Sequence, residues 1–415
     1  MLTNGLRVAS ERIDGVRSVA LGVWIAAGSR LEPPELGGVS HFIEHLVFKG
    51  SARFSAWDIA HIFDDMGAEP NAATSKEHTI VHVRCLDEDL DRAFEVLAEM
   101  VARPSFADLD HEREVVLEEV AMYEDSPPEL VHDDLARAVF GDHPLGRPII
   151  GHTATLAGLD DAVVRSYHDE HYVNPGIVIA AAGHVDHTRL CDLTTRHFRP
   201  EPGAEVPRPV LGPPDERHVA HFSEKDTEQY HICLGGPGPR RADPDRWAVF
   251  VADAILGGSW SSRLFQEVRE RRGLAYSVYS YTSLYADAGL TAVYVGSREG
   301  AVSEALAVTL DVLARLSEEV TDAAVDRARN HLKGQLALNH ESVTSRMQSL
   351  GRSVLLELPV LSLDEIVAHV DAVSRDDVLA AVARYYAPER WSAVCIGPDA
   401  APFRALTEDF TWEER

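Results

Sequence analysis

Residues 17–27 alternate apolar with other side chains, Val19, Leu21, Val23 and Ile25 falling on one side, which is the period of a half-buried strand. Gly28 to Gly38 reads as a loop, its Pro33-Pro34 and Gly37-Gly38 pairs delivering the chain into a short helical stretch in which Phe42 and Leu46 turn towards a core. Ser55-Ala56-Trp57-Asp58 has the form of a capping box and opens a helix that stops near Gly67. Strands are predicted over 70–74 and 78–85, then a helix from Leu90 to Ala102 that stops at Pro104. A further helix runs from Leu109 to Tyr123 and is ended by Pro127-Pro128, and residues 129–140 are helical again. After a loop at 143–148, a helix near 160–171 leads into a strand from Ile177 to Ala182.

Six prolines (Pro200, Pro202, Pro207, Pro209, Pro213 and Pro214), with Gly203 and Gly212 among them, can hold neither a helix nor a central strand. The stretch 200–216 is therefore an expected inter-domain linker between residues 1–199 and 217–415. The same order of elements recurs beyond it. Val96-Leu97-Ala98 returns as Val312-Leu313-Ala314, a shift of 216 (312 − 96). Tyr172, Pro175 and a strand ending at Gly183 return as Tyr386, Pro388 and a strand ending at Gly397, a shift of 214 (397 − 183). Near-equal offsets of this size predict a duplicated α+β unit, each copy a mainly antiparallel sheet with helices packed against it.

A chain of 415 residues is too long for one ordinary core, which agrees with two domains, and 45% hydrophobic with 26% charged residues is a globular composition. A formal net charge of −28 opposes binding to nucleic acid or to an anionic membrane through a general positive field. It suits cationic peptides, and equally suits mere solubility. No basic region followed by an apolar run opens the chain, and no apolar stretch has membrane-spanning length. Cys85, Cys191, Cys233 and Cys395 lie far apart in apolar, strand-like settings, without zinc-finger spacing or a disulfide pattern, so a reducing compartment, the cytoplasm, is expected.

The chemistry concentrates in Ser40-His41-Phe42-Ile43-Glu44-His45-Leu46-Val47-Phe48. On a helix, His41, Glu44 and His45 share a face. Imidazoles four residues apart clamp Zn²⁺, and a neighbouring carboxylate can serve as general base for the water it activates. A catalytic zinc needs a third protein ligand. The helix His111 to Met122 offers four glutamates, of which Glu112 and Glu119, seven apart, lie nearly in line. Val115, Val116 and Met122 are expected to share that face and make it an inward one. Two carboxylates there need a partner, either a metal with imidazole ligands or a buried ion-pair network. Glu114 and Glu118 read as solvated. The second repeat has no His-x-x-Glu-His, so only the first can hold the metal. His168/His171 and His184/His187 have no third ligand at helical spacing and read as surface residues.

His41-x-x-Glu44-His45 followed by Glu112-Arg113-x-Val115-Val116-Leu117-x-Glu119, 74 residues separating His45 from Glu119 (119 − 45), resembles the pitrilysin/insulinase zinc metallopeptidases, a group with the inverted zinc motif. The likeness is greatest to the short two-domain bacterial members similar to mitochondrial processing peptidase subunits. It covers essentially the whole chain. Gly67-x-x-x-Asn71-Ala72-x-Thr74-x-x-Glu77-x-Thr79 resembles the family's substrate-edge strand, and His143-Pro144-Leu145-Gly146-Arg147-Pro148 its loop after the metal helices. Leu256-Gly257-Gly258, Ser261-Ser262-Arg263-Leu264-Phe265 and Arg272-Gly273-Leu274-Ala275-Tyr276 resemble its second-domain signature. Ser259-Trp260 departs from it where a glycine and a smaller residue are expected, and Val81 stands where tyrosine is common.

The resemblance implies one Zn²⁺ per chain held by His41, His45 and Glu119, with Glu44 as general base and Glu112 orienting a ligand. It also implies that Arg269 and Tyr276 contact the substrate carbonyl, and that a peptide lies as an added strand near Asn71 and Ala72. The expected activity is that of a zinc endopeptidase or oligopeptidase. The expected assembly is a homodimeric clamshell, with a heterodimer with a paralogue as a variant, in which the second domain of one chain covers the zinc of the other. The rival is a non-catalytic structural subunit of a related peptidase or respiratory complex. Such subunits typically lose ligands or base, whereas this chain has all of them.

Overall fold

The computed structural model describes residues 1–2, 5–198, 214–215 and 217–413, so the proline-rich stretch 200–216 lies outside the described residues apart from 214 and 215. The chain divides into two compact units. Unit 1 comprises Met1–Ala121, Pro148–Pro209 and Leu338–Val360; unit 2 comprises Met122–Arg147, Val210–Ala337 and Leu361–Arg415. Each is a mixed sheet covered by helices, an α+β architecture. Among the described residues no helix is long and apolar enough to cross a membrane.

In unit 1, β1 (Arg7–Arg12), β2 (Ser18–Ile25), β3 (Glu69–Thr74), β4 (Thr79–Leu86) and β5 (Ile177–Gly183) lie in the order β1-β5-β2-β4-β3. β1 and β5 are parallel and the other pairs antiparallel. Among the described residues only β4 pairs with β3, which leaves β3 as a sheet edge. The helices α1 (Val39–Leu46), α2 (Ala56–Asp65), α3 (Leu90–Ala102) and α4 (Leu109–Glu124) bury their apolar stripes with Val19, Leu21, Val23 and Ile25 of β2. α2 opens on the capping box: Ser55 Oγ accepts the Asp58 N–H at 3.1 Å and the Asp58 carboxylate accepts the Ser55 N–H at 2.9 Å.

In unit 2, β6 (Val219–Glu224), β7 (Gln229–Pro237), β8 (Ala275–Leu284), β9 (Gly289–Arg298), β10 (Ser392–Gly397) and β11 (Thr411–Trp412) lie in the order β11-β6-β10-β7-β9-β8. α5 (Pro127–Phe140) belongs to this unit, and Val131, Leu135 and Val139 on it pack with Cys233, Leu290, Ala292, Val394 and Ile396 of the sheet. Pro127-Pro128 thus open this helix rather than merely ending the one before, a place where proline's missing N–H costs nothing.

The matching helix of the second repeat, α6 (Val343–Leu355), starts 216 residues later (343 − 127) and belongs to unit 1. Each half of the chain therefore lends the same element to the other's sheet. Here the expectation of a half-buried β2 needs correcting. Ala20 and Trp24 on its second face pack with Val343, Met347 and Leu355 of α6, so the strand is buried on both faces. Close approach depends on two glycines: a Cβ on Gly22 would stand 2.6 Å from Met347 Sδ, and one on Gly351 would run into the Trp24 ring. Cys85, Cys233 and Cys395 are buried in strands, but Cys191 lies on the helix His187–His197, because its neighbours Leu190 and Leu193 carry a helical stripe; all four are free.

Unit 2 holds an awkward carboxyl. Asp253, on the helix Arg246–Leu256, has a buried Oδ1 without a hydrogen-bond partner, and burial raises its pKa from 3.8 to about 6 against an opposing Ser280 hydrogen bond. The unfolded chain ionises at the ordinary value, so this group favours folding most below that value and opposes it as pH rises through about 6, by roughly 3 kcal/mol at neutrality. Asp253→Asn should therefore be more stable than the unmodified chain at pH 7.5, the two converging towards pH 4 in urea-unfolding midpoints. In the same assay at neutral pH, Gly351→Ala should lose about 1–3 kcal/mol through its collision with Trp24. Gly334→Ala, in a helix where an added Cβ meets nothing within 4 Å, should gain about 0.5–1 kcal/mol.

Candidate active site

α1 is only eight residues long, and Val39, Phe42, Ile43 and Leu46 are all at 0% exposure. With that stripe in the core, His41, Glu44 and His45 project from the opposite side, the two imidazole rings 4.8 Å apart. The helix begins at Gly38, in the left-handed region at φ 95°, which supplies no side-chain cap. Glu32 stands in for one. Its carboxylate, on a residue 3% exposed, accepts the N–H of Gly38 and of Ser40 at 2.8 Å each, an anion at a helix N-terminus.

α4 brings the carboxylates. A helix turns about 100° per residue, so Leu109, Glu112, Val116 and Val120 form the buried face and Glu119 falls at its margin. Val115 and Met122, expected to face inward, turn further out and are 41% and 72% exposed. Glu119 Oε2 lies 3.2 Å from His45 Nε2, and Oε1 lies 3.9 Å from His41 Nε2. One donor atom from each of His41, His45 and Glu119 falls within a cluster spanning 4.8 Å or less. The Glu119 side chain is 46% exposed, so the cluster is open to solvent. Two imidazole nitrogens and a carboxylate oxygen that converge and remain accessible match the donor set of a catalytic zinc site. Burial, and then the neighbouring His45, lowers His41 to about 4, so its ring is neutral at neutral pH with a lone pair to offer.

Glu112 and Glu44 flank this cluster. Glu112, 2% exposed, places Oε1 3.0 Å from His45 Nδ1 and Oε2 2.8 Å from the Lys49 ammonium. Glu44 is hydrogen-bonded by Thr74 on β3, yet its Oε2 is buried and has no hydrogen-bond partner. Burial raises the Glu44 pKa above the usual carboxylate range, with the Thr74 bond and His45 pulling the other way. That is the direction a general base needs.

Asn71 and Ala72 lie on β3, the edge strand, with Asn71 exposed and its Oδ1 accepting the Ala72 N–H at 2.8 Å. Arg269 and Tyr276 belong to unit 2, where they meet: the guanidinium carbon of Arg269 stands 4.8 Å from the centre of the Tyr276 ring and 4.8 Å from that of Phe265. Arg269 sits on a π-helical turn, and a bulge between Ala275 and Ser277 leaves Tyr276 79% exposed at the start of β8.

His168 and His171, expected on the surface, are 6% and 8% exposed, because their rings bond the carbonyls of Val101 (2.9 Å) and Tyr167 (3.0 Å). His184 pairs with Asp87, and His187 bonds Ser10. Glu32 and Lys49 were not singled out from the sequence, and Thr74 was quoted only within the edge-strand motif, with no role towards Glu44. Lys49 did carry a signal, standing four residues after His45 as His45 does after His41. Glu32 and Thr74 reach the site only through the tertiary fold.

Two family models match the chain: the insulinase model of peptidase family M16 over residues 7–153, and the peptidase M16 inactive domain over residues 159–332. An uncharacterized zinc protease of Streptomyces coelicolor is 41% identical over 407 residues, spanning 96% of this chain and 88% of that protein. The uncharacterized zinc protease YmxG of Bacillus subtilis is 39% identical over 398 residues, spanning 95% and 97%. A protease from Helicobacter pylori has a matching structure, with a TM-score of 0.91, 22% identity, and 96% and 98% of the two chains covered. Complex III2 from Candida albicans contains a chain of the same fold at a TM-score of 0.85 and 21% identity, with 98% of each chain covered. Fold and site together define a two-domain α+β protein of the metallopeptidase class. The chain belongs to the insulinase family, peptidase family M16.

The Glu32 cap carries a prediction. Glu32→Ala leaves the first turn of α1 without a partner for two buried N–H groups and should cost about 1–3 kcal/mol. Chemical denaturation of the metal-free chain measures it.

Proposed function

We propose that this chain is a zinc-dependent endopeptidase or oligopeptidase. The observation that carries the reading is the convergence of His41, His45 and Glu119 beside a Glu44 oxygen that is buried and unpartnered. Zinc bound by those three residues would supply Lewis acidity and make water a nucleophile at neutral pH. Glu44 takes the proton of the attacking water at Oε2, and can return it to the leaving amine. Thr74 keeps the Glu44 carboxylate in place, and His41 presents a neutral imidazole. Extended peptide would lie along the free edge of β3 at Asn71 and Ala72, where main-chain bonds demand little of its sequence. Arg269 and Tyr276 would stabilise the developing oxyanion.

The working assembly we propose is a homodimer in which the Arg269–Tyr276 pair of one chain serves the zinc site of the other; a heterodimer with a paralogue would work in the same way. A non-catalytic subunit is not favoured, since ligands and base are all present.

Glu44→Gln should lower turnover of a mixed peptide library by at least about 100-fold, while zinc by atomic absorption stays near one per chain. Retained activity would overturn the role given to Glu44. Mixing inactive Glu44→Gln with inactive Tyr276→Phe chains should restore activity if the pair acts across the dimer. Silence from mixed dimers shown to form would count against it.

A further inference from the structure

The turn that follows α1 holds Lys49, whose ammonium stands 2.8 Å from Glu112 Oε2 while Glu112 Oε1 stands 3.0 Å from His45 Nδ1. A carboxylate 2% exposed, gripped by a single partner, could turn about its last torsion and release the imidazole. Two partners, one on each oxygen, remove that freedom. Lys49 is itself held from the backbone. Gly50 O accepts the Ser105 N–H at 3.0 Å, Ala52 N donates to Arg103 O at 2.9 Å, and Ser51 forms a β-bridge with Pro104. Gly50 sits at φ +123°, and a Cβ there would press on Ser105 Oγ at 3.0 Å, so the turn depends on this glycine. Residues 103–105 lead directly into α4, whose first turn carries Glu112. The link is thus stitched at both ends: main chain joins the Lys49 turn to the approach of α4, and the ion pair joins their side chains.

We propose that Lys49 is a positioning residue of the metal site, pinning Glu112 so that Glu112 fixes His45 with Nε2 aimed at the metal. The proposal rests on the reading of His45 as a metal ligand. It also has a sign of its own. A cation near a bound Zn²⁺ opposes it, so if Lys49 contributed only charge, removing it would tighten zinc binding. If Lys49 positions Glu112, removing it loosens zinc.

The test uses the full chain stripped of metal, with zinc affinity read by competition against a chromophoric chelator and the thermal midpoint of the metal-free chain recorded beside it. Lys49→Met should bind zinc about tenfold more weakly, and Lys49→Arg should stay near the unmodified value. In a Glu112→Gln background Lys49→Met should change the zinc affinity no further, because the lysine acts through that carboxylate. Unchanged or tighter binding by Lys49→Met, or an equal loss in both backgrounds, overturns the proposal. Should Lys49→Met not fold, Lys49→Gln is read against the same outcomes. If the unmodified chain takes up no zinc, or His45→Ala binds it undiminished, the metal-site reading falls and this proposal with it. Zinc lost by His45→Ala but not by Lys49→Met leaves the metal site standing and overturns the role of Lys49 alone.

Discussion

Three donor atoms on two helices must converge within 4.8 Å, and the site depends on that register between α1 and α4. α1 has eight residues, too few for a helix to persist on its own in water. Tertiary contacts must therefore hold it. Phe42, Ile43 and Leu46 are fully buried, each contributing about 1.5–3 kcal/mol of transfer free energy. Glu32 closes the front of the helix, and the Lys49 turn ties its rear to the segment that launches α4. An apolar stripe fixes the depth and rotation of the helix, and the polar ties fix it along its axis.

Within that frame, burial sorts chemically identical groups into different tasks. Glu112 is buried between a histidine and a lysine and acts on its neighbours. Glu119, about two helical turns further on at the margin of the buried face, reaches both imidazoles and solvent. Glu44 is buried with one oxygen unpartnered, which raises its proton affinity. Three carboxylates of the same chemistry thus meet different partners according to where the helix geometry places them.

Much of this was legible in the residues. The i, i+4 spacing of His41 and His45 needs only helix geometry, and the boundaries of α3 follow from its period and from Pro104. The repeat was visible as two near-equal offsets, and the structure carries a like offset into α5 and α6. What was not legible depended on partners distant in sequence. β2 looks half-buried because alternation reports one face, and nothing local says that α6, more than 300 residues later, covers the other. Val115 and Met122 were placed inward by lumping a helical face too broadly, when Glu119 already marks its edge. His168 and His171 looked solvated since histidine usually is, but backbone carbonyls at hand satisfied them in the interior. Glu32 has no sequence signal at all. A lone glutamate in a loop becomes a helix cap only once the loop has folded back.

The reciprocal placement of α5 and α6 has a consequence for the order in which this protein can mature. Strand β2 is complete by Ile25, yet its second face packs against Val343–Leu355. Contacts of such sequence separation form late, after a large loop-closure cost. A ribosome will have exposed the histidine helix and both glutamates long before the sheet beneath them can close. Chains cut short before α6 would carry His41, His45 and Glu119 on a sheet with one bare apolar face, a species prone to aggregation. The His41–His45–Glu119 cluster can come to rest on a finished sheet only once synthesis has passed Leu355.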